Sequence, residues 1–226
     1  MYDSQLRTII DPPLNWAARR LRPLPLTANQ VTVVGAVFGF CAALAIFFGG
    51  FGLALVAIVA NRLADGLDGA LARQQGATKL GGFLDIVFDF FFYGAIPLAF
   101  ALYDPERNAL AAAVLLASFY ANGATFLGFA AVAAELDLTT DDQGKKTIYY
   151  FAGLAEGAET IAVFVLMVLV PSFFVWIAFL FALVCFASAG ARVYAVWDSL
   201  SVLDDDPDAL AGPAPPVTDP TSPSAG

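Results

Sequence analysis

Long apolar runs alternate with short polar links along this chain, and most of the runs are near the ~20 residues that a helix needs to cross a bilayer. Six can be read, at about 31–48, 51–73, 82–103, 109–134, 149–170 and 173–197. Gly49-Gly50 closes the first, "QQGATKLG" follows the second and "DPERN" the third. "ELDLTTDDQGKKT" precedes the fifth, and Pro171-Ser172 turns it into the sixth. The pattern predicts an all-α integral membrane protein of six transmembrane helices. Residues 1–26 form a juxtamembrane segment ahead of a membrane domain at 27–199, and 200–226 form a tail.

Composition agrees. The 226 residues are 59% hydrophobic and mean hydropathy is +0.74, whereas soluble domains are roughly half apolar. No signal-peptide pattern leads the chain, since 1–26 is polar, proline-broken and arginine-rich. Leu6, Ile9, Ile10, Leu14 and Trp16 among those arginines suit a segment lying in the headgroup plane; a plain positive topology signal would account for the arginines too. Arg7, Arg19, Arg20, Arg22, Arg73, Lys79, Lys145 and Lys146 fall on one predicted side and Arg107 on the other. Retained loops on the cytoplasmic side carry the basic excess, so both termini and both basic links are expected in the cytoplasm, with the protein in a bacterial inner membrane.

Charge changes this picture little. Much of the acid behind the net charge of −9 lies in the Pro-, Ala- and Asp-rich tail, which reads as disordered. No nucleic-acid partner is expected. There is no histidine, so acid–base or metal chemistry falls to carboxylates, lysine, tyrosine or water. Cys41 and Cys185 lie far apart in apolar runs and read as buried small residues.

One polar feature does change the picture. Asp65, Asp68, Asp85 and Asp89 interrupt the second and third runs. At 3.6 residues per turn, Asn61, Asp65, Asp68, Gly69 and Ala72 share one helix face, and Asp85 and Asp89 share another, with Gly81 one turn earlier. The short link makes the two helices antiparallel neighbours, so the acids converge near one membrane surface. Bare carboxylates there would repel and resist desolvation, and no basic partner is evident to pair all four. Oxygen-only ligands favour a hard cation, Mg²⁺, Mn²⁺ or Ca²⁺. Four carboxylates suit two such ions, clamping phosphate oxygens. Gly69 and Ala72 leave room for a ligand, and Arg73 stands where a pyrophosphate would meet it.

The string D65-x2-D68-G69-x2-A72-R73-x7-G81-x3-D85-x3-D89 resembles the signature of the CDP-alcohol phosphatidyltransferase family, matching each of its fixed positions. "TANQVT" at 27–32 resembles the lead-in P-N-x-(I/V)-T, with Ala28 in place of proline. The resemblance spans roughly 20–197 and implies six spans with cytoplasmic ends. It implies transfer of a phosphoalcohol group from a CDP-linked lipid, usually CDP-diacylglycerol, to an alcohol hydroxyl, with release of CMP. It further implies two Mg²⁺ or Mn²⁺ ions held by Asp65, Asp68, Asp85 and Asp89, with Asp89 as general base. Asn61, Gly69, Ala72, Arg73 and Gly81 are expected to line the CDP site. Family members are often dimers, so a homodimer is compatible.

The acceptor is less defined. Lys145 and Lys146 before the fifth span and Arg192 in the sixth suit an anionic acceptor. "KKT" at 145–147 also resembles a stretch of glycerophosphate-accepting members. Against this, the lysines would equally serve topology, and snorkelling to water is the lesser alternative for Arg192. Glu156 and Glu159, at i and i+3 in the fifth span, suit pairing with Arg192 or Arg62, binding of acceptor hydroxyls, or attraction of a cationic amino alcohol. Glycerol phosphate, inositol or its phosphate, serine and choline all stay open. Two other classes compete with the transferase. A divalent-cation transporter predicts acids at the bilayer midplane or on both sides, and a scaffold with a degenerate site predicts a lost motif position.

Overall fold

A computed structural model describes residues 3–21, 25–135 and 157–205 of the chain. The described residues are helical apart from short turns. They form α1 (Asp3–Leu21), α2 (Ala28–Phe47), α3 (Phe51–Gln75), α4 (Lys79–Tyr103), α5 (Pro105–Glu135), α6 (Gly157–Leu169) and α7 (Phe174–Asp205), with a 3₁₀ turn at Pro171–Phe173.

Local chemistry sets the helix ends. Thr27 caps α2 in a capping box: its hydroxyl accepts from the Gln30 N–H at 3.3 Å, and Gln30 Oε1 accepts from the Thr27 N–H at 3.0 Å. Gly49 (φ +74°) turns the chain after α2, and Gly76 (φ +99°) ends α3, both in the left-handed region that favours glycine. Thr78 then caps α4, its hydroxyl accepting from the Gly81 N–H at 3.0 Å.

Three connections meet at one end of the bundle. Gly49 lies against the Tyr103 ring, and Arg107 Nη2 donates to the Ser172 carbonyl at 2.5 Å. The links at 25–27 and 76–78 lie at the opposite end, where Gln75 ties two of them together. Its Oε1 accepts from the Ala28 N–H at 3.2 Å, and its Nε2 donates to the Leu26 carbonyl at 2.8 Å. At this end α1 packs across α3, with Leu14 over Gly66 and Ala18 buried beside Ala64, Ala70 and Leu71. Trp16 points away, 57% exposed, with the Arg20 guanidinium 5.2 Å from its ring centre.

Glycine and alanine line the α2–α3–α4 seam. A Cβ on Gly35 would sit 3.2 Å from Ala64 Cβ, and one on Gly39 only 2.9 Å from the Phe92 ring. Small residues let helix backbones approach where hydrocarbon surroundings supply little hydrophobic drive. Beyond the seam an aromatic core joins α4, α6 and α7. Phe100 stacks on Phe174 with ring centres 4.3 Å apart, and Phe92 meets Phe164 edge-on at 5.7 Å.

The all-α membrane architecture follows the sequence reading, with differences in count and limits. Among the described residues, α2, α4, α5 and the stretch 171–198 are long and apolar enough to span a bilayer. α3 has the length, but any 18 consecutive residues of it contain Arg62, Asp65 and Asp68. α6 has 13 described residues, the rest of the fifth expected span lying at 149–156, outside the described set. The second link shrinks to 76–78 because Gln74, Gln75 and Lys79–Gly81 are helical. α7 continues past position 200 to Asp205, and residues 206–226 lie outside the described set.

The seam generates a test. Gly39→Val should overpack it at a cost of about 1–3 kcal/mol, read as a lower Tm of the detergent-solubilised protein. An unchanged Tm would contradict the close approach.

Candidate active site

Asp65 and Asp68 on α3 face Asp85 and Asp89 on α4 because both helices keep the 3.6-residue period through the short link at 76–78. Ligand oxygens of Asp65, Asp85 and Asp89 all lie within 4.8 Å of one another. Asp68 stands outside this compact trio but lines the same cleft. It is 7% exposed, and its Oδ2 is buried with no hydrogen-bond partner among the described residues. The cleft is narrow, and α2 supplies a third wall through Thr32, Gly35 and Ala36.

The expectation that the acids lack a basic partner needs correction. Arg62 Nη2 donates to Asp89 Oδ1 at 2.9 Å, and Nη1 lies 3.5 Å from Asp65 Oδ2. Its Nε donates to Asn61 Oδ1 at 2.7 Å, and the guanidinium lies over the Phe92 ring at 5.2 Å. Asn61, 4% exposed, uses its other amide atom to donate to the Gly35 carbonyl at 2.8 Å. A continuous relay thus runs from the α2 backbone through Asn61 and Arg62 to Asp89 on α4. Sequence reasoning missed Arg62 as a member of the cluster. The signal was its i,i+3 spacing from Asp65, which puts both on one side of α3.

The other expected residues separate into groups. A Cβ on Gly69 would meet only Arg73 Nη1, at 3.6 Å, so the α3 surface there stays open beside a guanidinium. Ala72 is half-buried and Arg73 exposed on the following turn. Gly81 differs: a Cβ there would come within 2.8 Å of Asn29 Oδ1 and 3.1 Å of Thr78 Oγ1. Its missing side chain admits Asn29 of α2. Asn61 lines the cleft, but its amide is engaged on Gly35 and Arg62.

Arg192 does not snorkel to water. It is 6% exposed, and Nη1 donates to the Asn122 carbonyl and Oδ1, each at 3.1 Å, and to Thr125 Oγ1 at 3.0 Å. These contacts hold it to α5. Glu159 places Oε2 in a buried position without a hydrogen-bond partner among the described residues; the alternative that pairs the glutamates with Arg62 meets a guanidinium engaged on aspartates. Lys145, Lys146 and Glu156 lie outside the described residues.

The sequence model for CDP-alcohol phosphatidyltransferase matches residues 25–188 of this chain. The chain belongs to the CDP-alcohol phosphatidyltransferase family. It is therefore an enzyme of a phospholipid-synthesising transferase class, as its motif implied. Inner membrane protein YnjF of Escherichia coli K12 is 42% identical over 203 residues, covering 90% of this chain and 98% of the relative. Archaetidylinositol phosphate synthase of Pyrococcus horikoshii is 27% identical over 178 residues, covering 78% and 92%.

Two crystal structures of Mycobacterium tuberculosis phosphatidylinositol phosphate synthase share the fold. The one with CDP-DAG bound has a TM-score of 0.65 at 21% identity, covering 81% of this chain and 93% of that one. The one in complex with manganese and citrate has a TM-score of 0.66 at 23% identity, covering 81% and 88%.

The relay generates a prediction. Asn61→Leu would strand the Arg62 Nε–H and remove the second bond to the Gly35 carbonyl, costing about 1–3 kcal/mol. A lower Tm in detergent is expected. A Tm equal to that of the parent protein would show that the relay contributes nothing to stability.

Proposed function

We propose that this member of the family moves a phosphatidyl group from CDP-diacylglycerol to an alcohol hydroxyl, releasing CMP. The observation that carries the reading is the convergence of Asp65, Asp85 and Asp89 oxygens within 4.8 Å, beside a buried Asp68 oxygen without a partner among the described residues. This donor set fits hard divalent cations, because it is all oxygen and offers neither imidazole nor thiolate. Asp65, Asp68, Asp85 and Asp89 would hold two ions, Mg²⁺ or Mn²⁺. Bound there, the ions would supply Lewis-acid stabilisation of the pyrophosphate and of the departing phosphate. The manganese of the Mycobacterium tuberculosis structure and the CDP-DAG of its counterpart support this assignment by analogy of fold.

The residues divide the work. Gly69 and Ala72 leave the α3 surface open for the nucleotide, and Arg73 meets the pyrophosphate with a planar fork of donors. Asp89, oriented by Arg62 through Oδ1, takes the acceptor hydroxyl proton on its other oxygen. The acceptor oxygen then bonds to the β-phosphorus, and the bond from that phosphorus to the CMP oxygen breaks. Arg192, fixed on α5, and Glu159 are the acceptor-side candidates, with Lys145, Lys146 and Glu156 on the adjoining segment. Two relatives are synthases of inositol phosphate lipids, which favours a phosphorylated polyol. We place the protein in a bacterial inner membrane, in keeping with its Escherichia coli relative, with the cleft and both termini cytoplasmic. The nucleotide then stays in water and the acyl chains in lipid.

The test is CMP release by the purified protein supplied with Mn²⁺, CDP-diacylglycerol and a panel of acceptors: glycerol 3-phosphate, inositol, inositol phosphate, serine and choline. Turnover is expected with at least one acceptor, with inositol phosphate the first candidate, and chelation with EDTA should abolish it. Asp89→Asn should reduce the rate by about 10²–10⁴-fold, the range for loss of a general base, without loss of folded protein. Folded wild-type protein that releases no CMP with any of the acceptors would contradict the proposal.

A further inference from the structure

The placement of Arg62 carries more than a stability role. Its guanidinium is anchored on three sides, by the Asn61 side chain at 2.7 Å, the Phe92 ring at 5.2 Å and Asp89 Oδ1 at 2.9 Å. Two of the residues in contact with it, Asp65 and Asp89, belong to the trio whose ligand oxygens lie within 4.8 Å of one another. The side chain is 21% exposed, so water screens this charge less than it would on an open surface. A fixed positive charge hydrogen-bonded to Asp89 and 3.5 Å from Asp65 repels any other cation that those ligands would hold. It also pulls electron density from the carboxylates that would coordinate the metal.

We propose that Arg62 is the resident counter-cation of the acidic cluster, and that it sets the cluster's divalent-ion affinity well below what its carboxylates alone would give. Before a metal binds, the guanidinium compensates part of the charge that four aspartates bring into an apolar bundle. When a metal binds, it meets a positive charge already in place. The anionic pyrophosphate of a CDP-lipid opposes that repulsion, so metal and nucleotide load more readily together than the metal does alone. Arg62 acts here through Asp65 and Asp89 and is a positioning residue. The inference rests on the reading that these aspartates bind divalent cations.

The test is Mn²⁺ binding to the full chain in detergent, without substrate, followed by the electron paramagnetic resonance signal of free Mn²⁺. Arg62→Gln should bind Mn²⁺ at least about tenfold more tightly than the wild type, a modest part of the interaction expected between charges about 4 Å apart. Arg62→Lys keeps the charge and should stay within about threefold of the wild type. In thermal unfolding, Arg62→Gln should start below the wild type without metal and gain more from saturating Mn²⁺, as tighter binding to the native state requires. Should Arg62→Gln not yield folded protein, Phe92→Leu serves as a second arm, since it removes the ring beneath the guanidinium and should tighten binding severalfold.

Unchanged affinity in the folded neutral variant would overturn the proposal, because the charge would then not be felt at the site. Weaker affinity would overturn it too, by showing that Arg62 mainly holds Asp89 in a ligating orientation. A wild type that binds no more Mn²⁺ than an Asp65→Asn, Asp85→Asn double variant would overturn the metal reading itself. These failures are distinguishable because the first two occur in a protein that does bind the ion.

Discussion

Charge compensation among carboxylates gathered at one cleft of an apolar helix bundle governs how α2, α3 and α4 are built around it. Asp65, Asp85 and Asp89 bring oxygens within 4.8 Å of one another, and Asp68 adds a buried oxygen beside them. An unpaired charge in such surroundings is strongly unfavourable, so the bundle holds these residues together only with a counter-charge at hand. Arg62 supplies part of it, reaching Asp89 on the neighbouring helix and Asp65 one turn along its own. On the proposed reading, the residual negative charge would draw hard cations to the cleft, and through them a pyrophosphate.

Holding that cluster in place is a packing problem, and the seam between α2, α3 and α4 solves it. Gly35 and Gly39 bring α2 close enough for the Gly35 carbonyl to accept from Asn61. Asn61 in turn fixes the guanidinium. At the end of the bundle nearer the acids, Gln75 bonds both to the residue before Thr27 and to the one after it, and Asn29 fills the space that Gly81 leaves. α2 therefore contributes little charge of its own but sets the spacing at which the two acidic faces meet. The polar residues of its lead-in have concrete tasks: Thr27 caps the helix, Asn29 docks on α4, and Thr32 lines the cleft.

Much of this was legible in the sequence, for a definite reason. Helical periodicity converts spacing into direction, so Asp65/Asp68 and Asp85/Asp89 could be placed on facing surfaces before any coordinates. Hydropathy located α2, α4, α5 and α7 for the same reason, since length and apolar content are local properties. What depended on a third element was not legible. The resemblance puts Gly81 and Asn61 at the CDP site, and only the fold shows that Asn29 of α2 fills the space beside Gly81 and that the Asn61 amide bonds Gly35 and Arg62. Arg62 binds Asp89, 27 positions away, and no periodicity on α3 points there. Nothing local to α7 points to the partners of Arg192, because Asn122 and Thr125 lie on α5, some 70 positions earlier.

The four aspartates are proposed to form one divalent-cation site. Diffraction from crystals of the full chain grown with Mn²⁺, recorded at the manganese absorption edge, tests it most directly. Anomalous peaks should lie between α3 and α4 within coordination distance, roughly 2–2.3 Å, of the carboxylates of Asp65, Asp68, Asp85 and Asp89. Crystals that bind manganese elsewhere and leave this cleft without a peak would contradict the account.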